Sequence, residues 1–149
     1  MEKLMSNQRF KLVSAVHVFL IREGKVLLLR RANTGYVDGL YSVVAGHLNG
    51  GETIQDAARR ETLEEVGVDI SSSDLEVAAV MHRKSDDERI DWFLKAERWE
   101  GTVVNREPEK CDRLAWFPLN DLPANVIPYV RRALQNVQHG RWFDSFGWA

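Results

Sequence analysis

The stretch Gly46–Val68, GHLNGGETIQDAARRETLEEVGV, constrains this chain more than any other part of it. A glycine-rich run leads into a segment that opens on Thr53, continues through good helix formers and stops at Gly67. Thr53 fits a helix N-cap, with Asp56 three residues on as a capping-box-like partner, and Gly67 stands where a C-terminal glycine belongs. On that predicted helix Glu61, Glu64 and Glu65 share one face, within an arc of roughly 100°. Carboxylates one turn apart repel and weaken a helix modestly. A divalent cation is the simplest offset, and clustered carboxylate oxygens suit Mg²⁺ or Mn²⁺ better than zinc. The bland alternative is a solvated acidic face, and two neighbouring features argue against it. The glycine-rich loop can present backbone N–H groups to phosphate oxygens at the helix start. Arg60 stands beside the cluster, where it can hold a carboxylate by a bidentate pair.

The rest of the chain reads as one domain, residues 1–149. With 44% hydrophobic and 28% charged residues its composition is globular, and no linker, repeat or low-complexity tract divides it. A formal net charge of -2 gives no electrostatic case for wrapping a nucleic-acid duplex or adhering to a membrane surface. Cys111 is the only cysteine, so no intramolecular disulfide can form, and a small half-buried hydrophobe is its simplest role. The apolar run Leu12–Ile21 contains Ser14 and His17 and ends in charge, so no signal peptide is expected, and it is too short to cross a bilayer. A cytoplasmic protein is expected.

Residues 11–21 read as a strand, with a turn at 22–25 and an antiparallel partner at 26–29. A loop at 33–39, a strand at 40–45 and a glycine-rich loop at 46–51 precede the helix. Further strands fall at 75–83, 90–98 and 113–117. After the breakers Pro118 and Pro123, an amphipathic helix over 125–138 presents Val126, Val130, Leu134 and Val137 as a core-facing stripe. Strands with one helix in the middle and one at the end predict an α+β fold with helices packed on a mixed sheet.

Taken together, Gly46, Glu52, Arg60-Glu61, Glu64-Glu65, Gly67 and Val68 resemble the Nudix box, G-x5-E-x7-R-E-U-x-E-E-x-G-U, with U a bulky aliphatic residue. Every fixed position matches. Thr62 departs from the aliphatic pattern, and Ala45 stands where many relatives carry proline or glycine. The resemblance implies a Nudix fold, in which a mixed β-sheet is sandwiched between helices (an α/β/α sandwich). It also implies Mg²⁺-dependent, or Mn²⁺-dependent, hydrolysis of a diphosphate linkage in a small nucleotide substrate. In such enzymes Glu61 and Glu65 would be the main metal ligands, with Glu64 sharing or bridging further ions and the Gly46 carbonyl often adding a ligand. Glu52 would support the cluster and Arg60 would orient a glutamate. A water bound between metal and carboxylate attacks phosphorus.

Beyond the box, residues 105–110 and 114–123 are similar to the region that follows it in MutT-like nucleotide pyrophosphatases. Glu107 is therefore a candidate to approach the metal site, and Glu61, Glu52 and Glu107 all stay open as the general base. Candidate substrate contacts are Arg30, Arg31 and Tyr36, with Tyr41, Trp92 and Phe93 as further aromatic candidates of which half should be core. Trp116 and Phe117 are expected between the sheet and the C-terminal helix. His17 and His82 are expected to be satisfied or solvated rather than ligands.

Some ADP-ribose-hydrolysing relatives carry a proline about fifteen residues after the box, and diadenosine-polyphosphate hydrolases a tyrosine nearby. Met81–Ser85 stands there instead. The favoured substrate is then a (deoxy)nucleoside triphosphate, with ADP-ribose or a nucleotide sugar as alternatives. A non-catalytic sensing or interaction module would be expected to lose box glutamates, and all are present. A diphosphate-using isomerase of the same fold would need a catalytic cysteine, which Cys111 supplies poorly. The aromatic tail 141–148 is expected either to dock on the body or to form a homodimer contact.

Overall fold

The computed structural model of the chain describes residues 8–149. Eight strands form one mixed sheet: β1 (Val13–Arg22), β2 (Lys25–Arg31), β3 (Tyr41–Ser42), β4 (Val44–His47), β5 (Glu76–Lys84), β6 (Glu88–Ala96), β7 (Cys111–Pro118) and β8 (Phe143–Phe146). Two α-helices accompany them, α1 (Ile54–Val66) and α2 (Pro128–Gln138). The order β3-β2-β1-β6-β5-β8 is extended by β4 on β1 and β7 on β2. β1 pairs parallel with β6, and β5 pairs parallel with β8; the remaining pairs are antiparallel.

β1 sits in the middle and is buried on both faces, which is why its sequence is a nearly unbroken apolar run. Val16, Val18 and Leu20 pack in one core with Ala57, Ala58 and Val66 of α1. Phe19, from the other face, packs in a second core with Val130, Ala133 and Leu134 of α2. The helices therefore cover opposite faces of the sheet, and the expected α/β/α sandwich is observed.

α1 begins and ends as its sequence dictates. Thr53 Oγ1 accepts a hydrogen bond from the Asp56 amide at 3.0 Å. Gly67 takes φ 76°, and its amide donates to the carbonyls of Thr62 and Leu63. Thr62, the departure from the aliphatic box pattern, is fully buried and turns its hydroxyl back onto the Ala58 carbonyl at 2.7 Å.

Several expectations need correction. The strand expected at 40–45 is two short strands that change partner at Val43: β3 pairs with β2 and β4 with β1. Gly46 and His47 belong to β4, so the glycine-rich loop starts only after them. α2 starts at Pro128 rather than 125, because proline suits the first helical turn and the preceding residues are held extended against Tyr41. Trp116 and Phe117, neighbours on a strand, point to opposite faces. Only Phe117 joins the α2 core; Trp116 packs on the α1 side and stacks on Trp99 with ring centroids 6.1 Å apart. The tail docks on the body as β8, with Trp148 Nε1 donating to the His82 carbonyl at 3.1 Å.

One polar cluster lies inside the α2 face. His17 is 2% exposed, stacks on Phe93, and shares a hydrogen bond between Nε2 and the Tyr129 hydroxyl at 2.9 Å. Asp91 of β6 lies 3.9 Å from the same nitrogen and is paired with Arg83 of β5, whose guanidinium covers the Tyr129 ring. Burial holds the His17 imidazole well down, to about 4, against the opposing pull of the Asp91 charge.

Candidate active site

α1, β2, β4 and the loop before β7 enclose an open cavity of about 660 Å³, within the size range of ligand sites. One wall is acidic: Glu61, Glu64 and Glu65 from α1, and Glu107 from the loop. The same cavity is lined by Arg30, Arg31 and Lys110, with Asn33, Thr34, Ser42 and His47 as further polar lining. The three helix glutamates and Glu107 are thus brought together from positions more than forty residues apart in sequence.

Arg60 organises the acidic wall. Its guanidinium grips Glu52 bidentately, Nη2 to Oε1 at 2.8 Å and Nε to Oε2 at 3.2 Å. Nη1 reaches Glu61 Oε2 at 2.8 Å, and Nη2 also meets the His47 carbonyl at 3.2 Å. Glu64 stays at 3.7 Å and about half exposed. The Arg60 hydrogen bond, helped by the Asn49 amide, holds the Glu52 carboxyl below its ordinary range. Glu52 does not line the cavity; it anchors the residue that positions Glu61.

Glu65 differs sharply from Glu52. Burial pushes its carboxyl well above the ordinary range, and a shared hydrogen bond with Glu61 and the charges of Glu61 and Glu107 add to the effect. Gly46 makes room for this cluster. A Cβ there would lie 2.1 Å from the Glu61 Cδ and Oε2 atoms, so only glycine lets β4 pass this close to the carboxylate. Mutually repelling carboxylates, Glu61 and Glu65 half-buried, in a cradle that a single methyl would fill are a donor set that fits a hard divalent cation. Among the described residues no group of His, Cys, Asp or Glu is already closed into a ligand shell, so an ion would draw these side chains together.

The loop that carries Glu107 is tightly built. Asn105 Oδ1 accepts from the Glu107 amide at 3.0 Å, and its Nδ2 donates to the Cys111 carbonyl at 2.7 Å. The Glu107 carbonyl accepts the amides of Lys110 and Cys111, and the Arg106 amide donates to the Glu65 carbonyl. Neither Asn105 nor Lys110 stands out in the sequence as a site residue; the Asn-x-Glu spacing of a side-chain-to-backbone turn is the available signal for Asn105.

Arg30 and Arg31 both line the cavity, and both are engaged. Arg30 Nε holds Asp112 Oδ1 at 2.7 Å, and Arg31 donates to the Tyr36 carbonyl at 2.8 Å and to Thr34 Oγ1 at 3.0 Å. Tyr36 lies outside the lining, 51% exposed, with Arg31 over its ring. Tyr41 and Phe93 are core, and Trp92 is half-buried with Nε1 on Ser14 Oγ at 2.9 Å. Cys111 lines the cavity, but burial raises its thiol pKa, the opposite of a nucleophile's environment.

The sequence matches the NUDIX domain family over residues 11–138. It is 28% identical over 116 residues to the NAD-capped RNA hydrolase NudC of Chromobacterium violaceum, covering 78% of this chain and 42% of that protein. The chain thus spans about two fifths of the length of this curated relative. It is 29% identical over 119 residues to the 8-oxo-dGTP diphosphatase of Escherichia coli K12, covering 79% of this chain and 88% of that one. The fold is similar to that of a MutT NUDIX hydrolase from Burkholderia pseudomallei, with a TM-score of 0.78 and 22% identity over 85% of this chain and 98% of the other. A domain match over most of the chain, on a fold that brings Glu61, Glu64 and Glu65 of the box to one cavity, makes the protein a member of the Nudix hydrolase superfamily.

Proposed function

We propose that the protein hydrolyses the diphosphate linkage of a nucleoside-diphosphate-containing substrate in the cytoplasm, with Mg²⁺ as cofactor. The substrate in this reading is a (deoxy)nucleoside triphosphate, cut to monophosphate and diphosphate. The observation that carries it is the convergence, on one cavity, of Glu61, Glu64, Glu65 and Glu107 with Arg30, Arg31 and Lys110. Such a cavity suits a ligand that is itself anionic and arrives with a divalent cation.

In this proposal Glu61, Glu64 and Glu65 hold the metal with the Gly46 carbonyl. The ion supplies charge neutralisation at the phosphate and acidifies a bound water. Arg60 keeps the Glu61 carboxylate in one orientation, and Glu52 keeps Arg60 in place. Glu107, which lines the same cavity without being assigned to the metal, is placed to take the proton of the attacking water. A second reading, a substrate with two nucleosides across the diphosphate, is favoured by the similarity to proteins named as hydrolases of NAD-capped RNA.

The test is a phosphate-release and product screen with nucleoside triphosphates, NAD, ADP-ribose and nucleotide sugars, run in Mg²⁺, in Mn²⁺ and in EDTA. Hydrolysis in Mg²⁺ that EDTA abolishes and added Mg²⁺ restores is expected. Glu65→Gln should lower turnover by several orders of magnitude with an unchanged or slightly raised melting temperature in EDTA. Undiminished turnover in EDTA, or in Glu65→Gln, would sink the proposal.

A further inference from the structure

Each arginine around the cavity is already committed. Arg30 is held by Asp112, Arg31 by Thr34 and the Tyr36 carbonyl, and Arg60 by Glu52 and Glu61. Lys110 is different. It lines the same cavity, yet no carboxylate or hydrogen-bond acceptor engages its ammonium among the described residues. Lys110 is exposed, so its ammonium stays hydrated and uncommitted at a cavity that also holds four glutamates, open to an anion that enters.

The backbone around Lys110 is fixed more firmly than an exposed turn requires. Its amide donates to the Glu107 carbonyl at 2.9 Å, and its carbonyl accepts the Ala32 amide at 2.9 Å. Asn33 Nδ2 reaches the Glu109 carbonyl at 3.2 Å, and Asn105 spans the turn from Glu107 to Cys111. Glu107 and Lys110, three residues apart, are thereby presented to one cavity from a single stapled turn. Among the described residues the lining contains no Phe, Tyr or Trp, and its one aromatic ring is the His47 imidazole. Recognition within the cavity then rests mainly on charge and hydrogen bonds.

We propose that Lys110 is the specificity-determining cation of the site: it binds the phosphate chain of the substrate and reads phosphate, not the base. The inference rests on the cavity being the site of diphosphate hydrolysis proposed above. An ammonium is a compact charge with freely rotating donors, which matches a flexible phosphate chain better than a fixed planar group. A hydrogen bond to a charged partner is worth about tenfold to about a hundredfold in affinity.

The experiment uses the full chain in Mg²⁺ with Lys110→Met, Lys110→Arg and, as a control for bulk charge, Lys25→Met, a lysine at the exposed β1–β2 turn. Steady-state kcat and KM are measured on adenine and cytosine nucleoside triphosphates, and thermal melts are run with and without inorganic diphosphate. Lys110→Met should raise KM about tenfold to about a hundredfold, by the same factor for both bases, with kcat changed less than about threefold. Lys110→Arg should recover most of the affinity, and Lys25→Met should match the parent. Stabilisation by inorganic diphosphate should appear in the parent and vanish in Lys110→Met. An unchanged KM, a loss that differs between the bases, or a parent that diphosphate does not stabilise overturns the assignment. If the parent hydrolyses no nucleotide, the substrate proposal falls, and the diphosphate melts alone decide the role of Lys110.

Discussion

His17 offers the sharpest quantitative prediction. Its imidazole faces Asp91 and Arg89 on β6, Arg83 on β5 and Tyr129 on α2, and it is sealed from water. In the folded chain it takes a proton only near pH 4, against an ordinary value of 6.5. The unfolded chain therefore binds the proton first, and stability rises with pH between about 4 and 6.5. The gap corresponds to about 3 kcal/mol in full, of which about 2 kcal/mol is lost on going from pH 7 to pH 5. For a chain of this size that is about 4 to 8 °C in melting temperature. The comparison variant is His17→Phe with Tyr129→Phe, which keeps the ring stack on Phe93 and leaves no hydroxyl without its partner. Urea unfolding followed by tryptophan fluorescence at pH 7, 6 and 5, in EDTA and at fixed ionic strength, gives the slope for each. The double variant should lose about 2 kcal/mol less over this interval than the parent. The glutamates of the cavity titrate in both proteins and cancel in that difference. Equal slopes would mean that the imidazole keeps its proton inside the fold, and the argument from burial would be refuted.

Gly46→Ala should fold with a melting temperature within about 3 °C of the parent, since the added methyl meets only the movable end of Glu61. Turnover should nevertheless fall at least about a hundredfold, because that carboxylate is displaced; paired melts and rate assays check it, and loss of both together would contradict it. Glu107→Gln should slow turnover by roughly a hundredfold, whereas Glu109→Gln, exposed and turned away from the cavity lining, should do far less. Equal small effects would reduce the loop to a connector. Asp144 is buried and receives Arg132, Asn136 and Arg141 at 2.7, 3.0 and 3.1 Å, so Asp144→Asn should cost about 1–3 kcal/mol by urea unfolding. Burial raises its pKa, but the bonds from Asn136 and Arg132 outweigh this and hold it below the ordinary range. The Asp144 contribution is thus complete above about pH 4 and fades only in stronger acid; a parent that loses it near pH 6 would contradict the pairing.

What the sequence made legible was local. α1 carries its own start, stop and acidic face between Thr53 and Gly67, and hairpin β1–β2 carries its own turn. Glu107 was legible only through the family resemblance, since nothing in residues 105–110 alone points across the chain to α1. The features that escaped depend on distant partners. The apolar run 40–45 looks like one strand because nothing in it records that Ser42 faces β2 while Val44 faces β1. β8 is four residues long, and its pairing with β5 spans more than sixty positions. Tyr36 is a candidate base contact by its ring alone; it stands exposed outside the lining because the Asp38-centred turn folds loop 33–39 on itself. Lys110 is invisible for the opposite reason: its distinction is that no partner engages it among the described residues, which only the folded chain reveals.

The two walls of the cavity are built with unequal freedom. The 105–111 turn is tied to the end of α1 through Glu65 and Val66 and to the 32–33 segment through Ala32 and Asn33. A substitution that moves this strap moves acid wall and phosphate contact together. Loop 33–39 is secured mainly by contacts among its own residues and by Arg31. Changes there can alter what enters the cavity while leaving the glutamates undisturbed. Selection for a new leaving group or base would thus find its easiest path through Thr34–Asp38, and a library confined to those positions should diversify substrate range without exhausting catalysis.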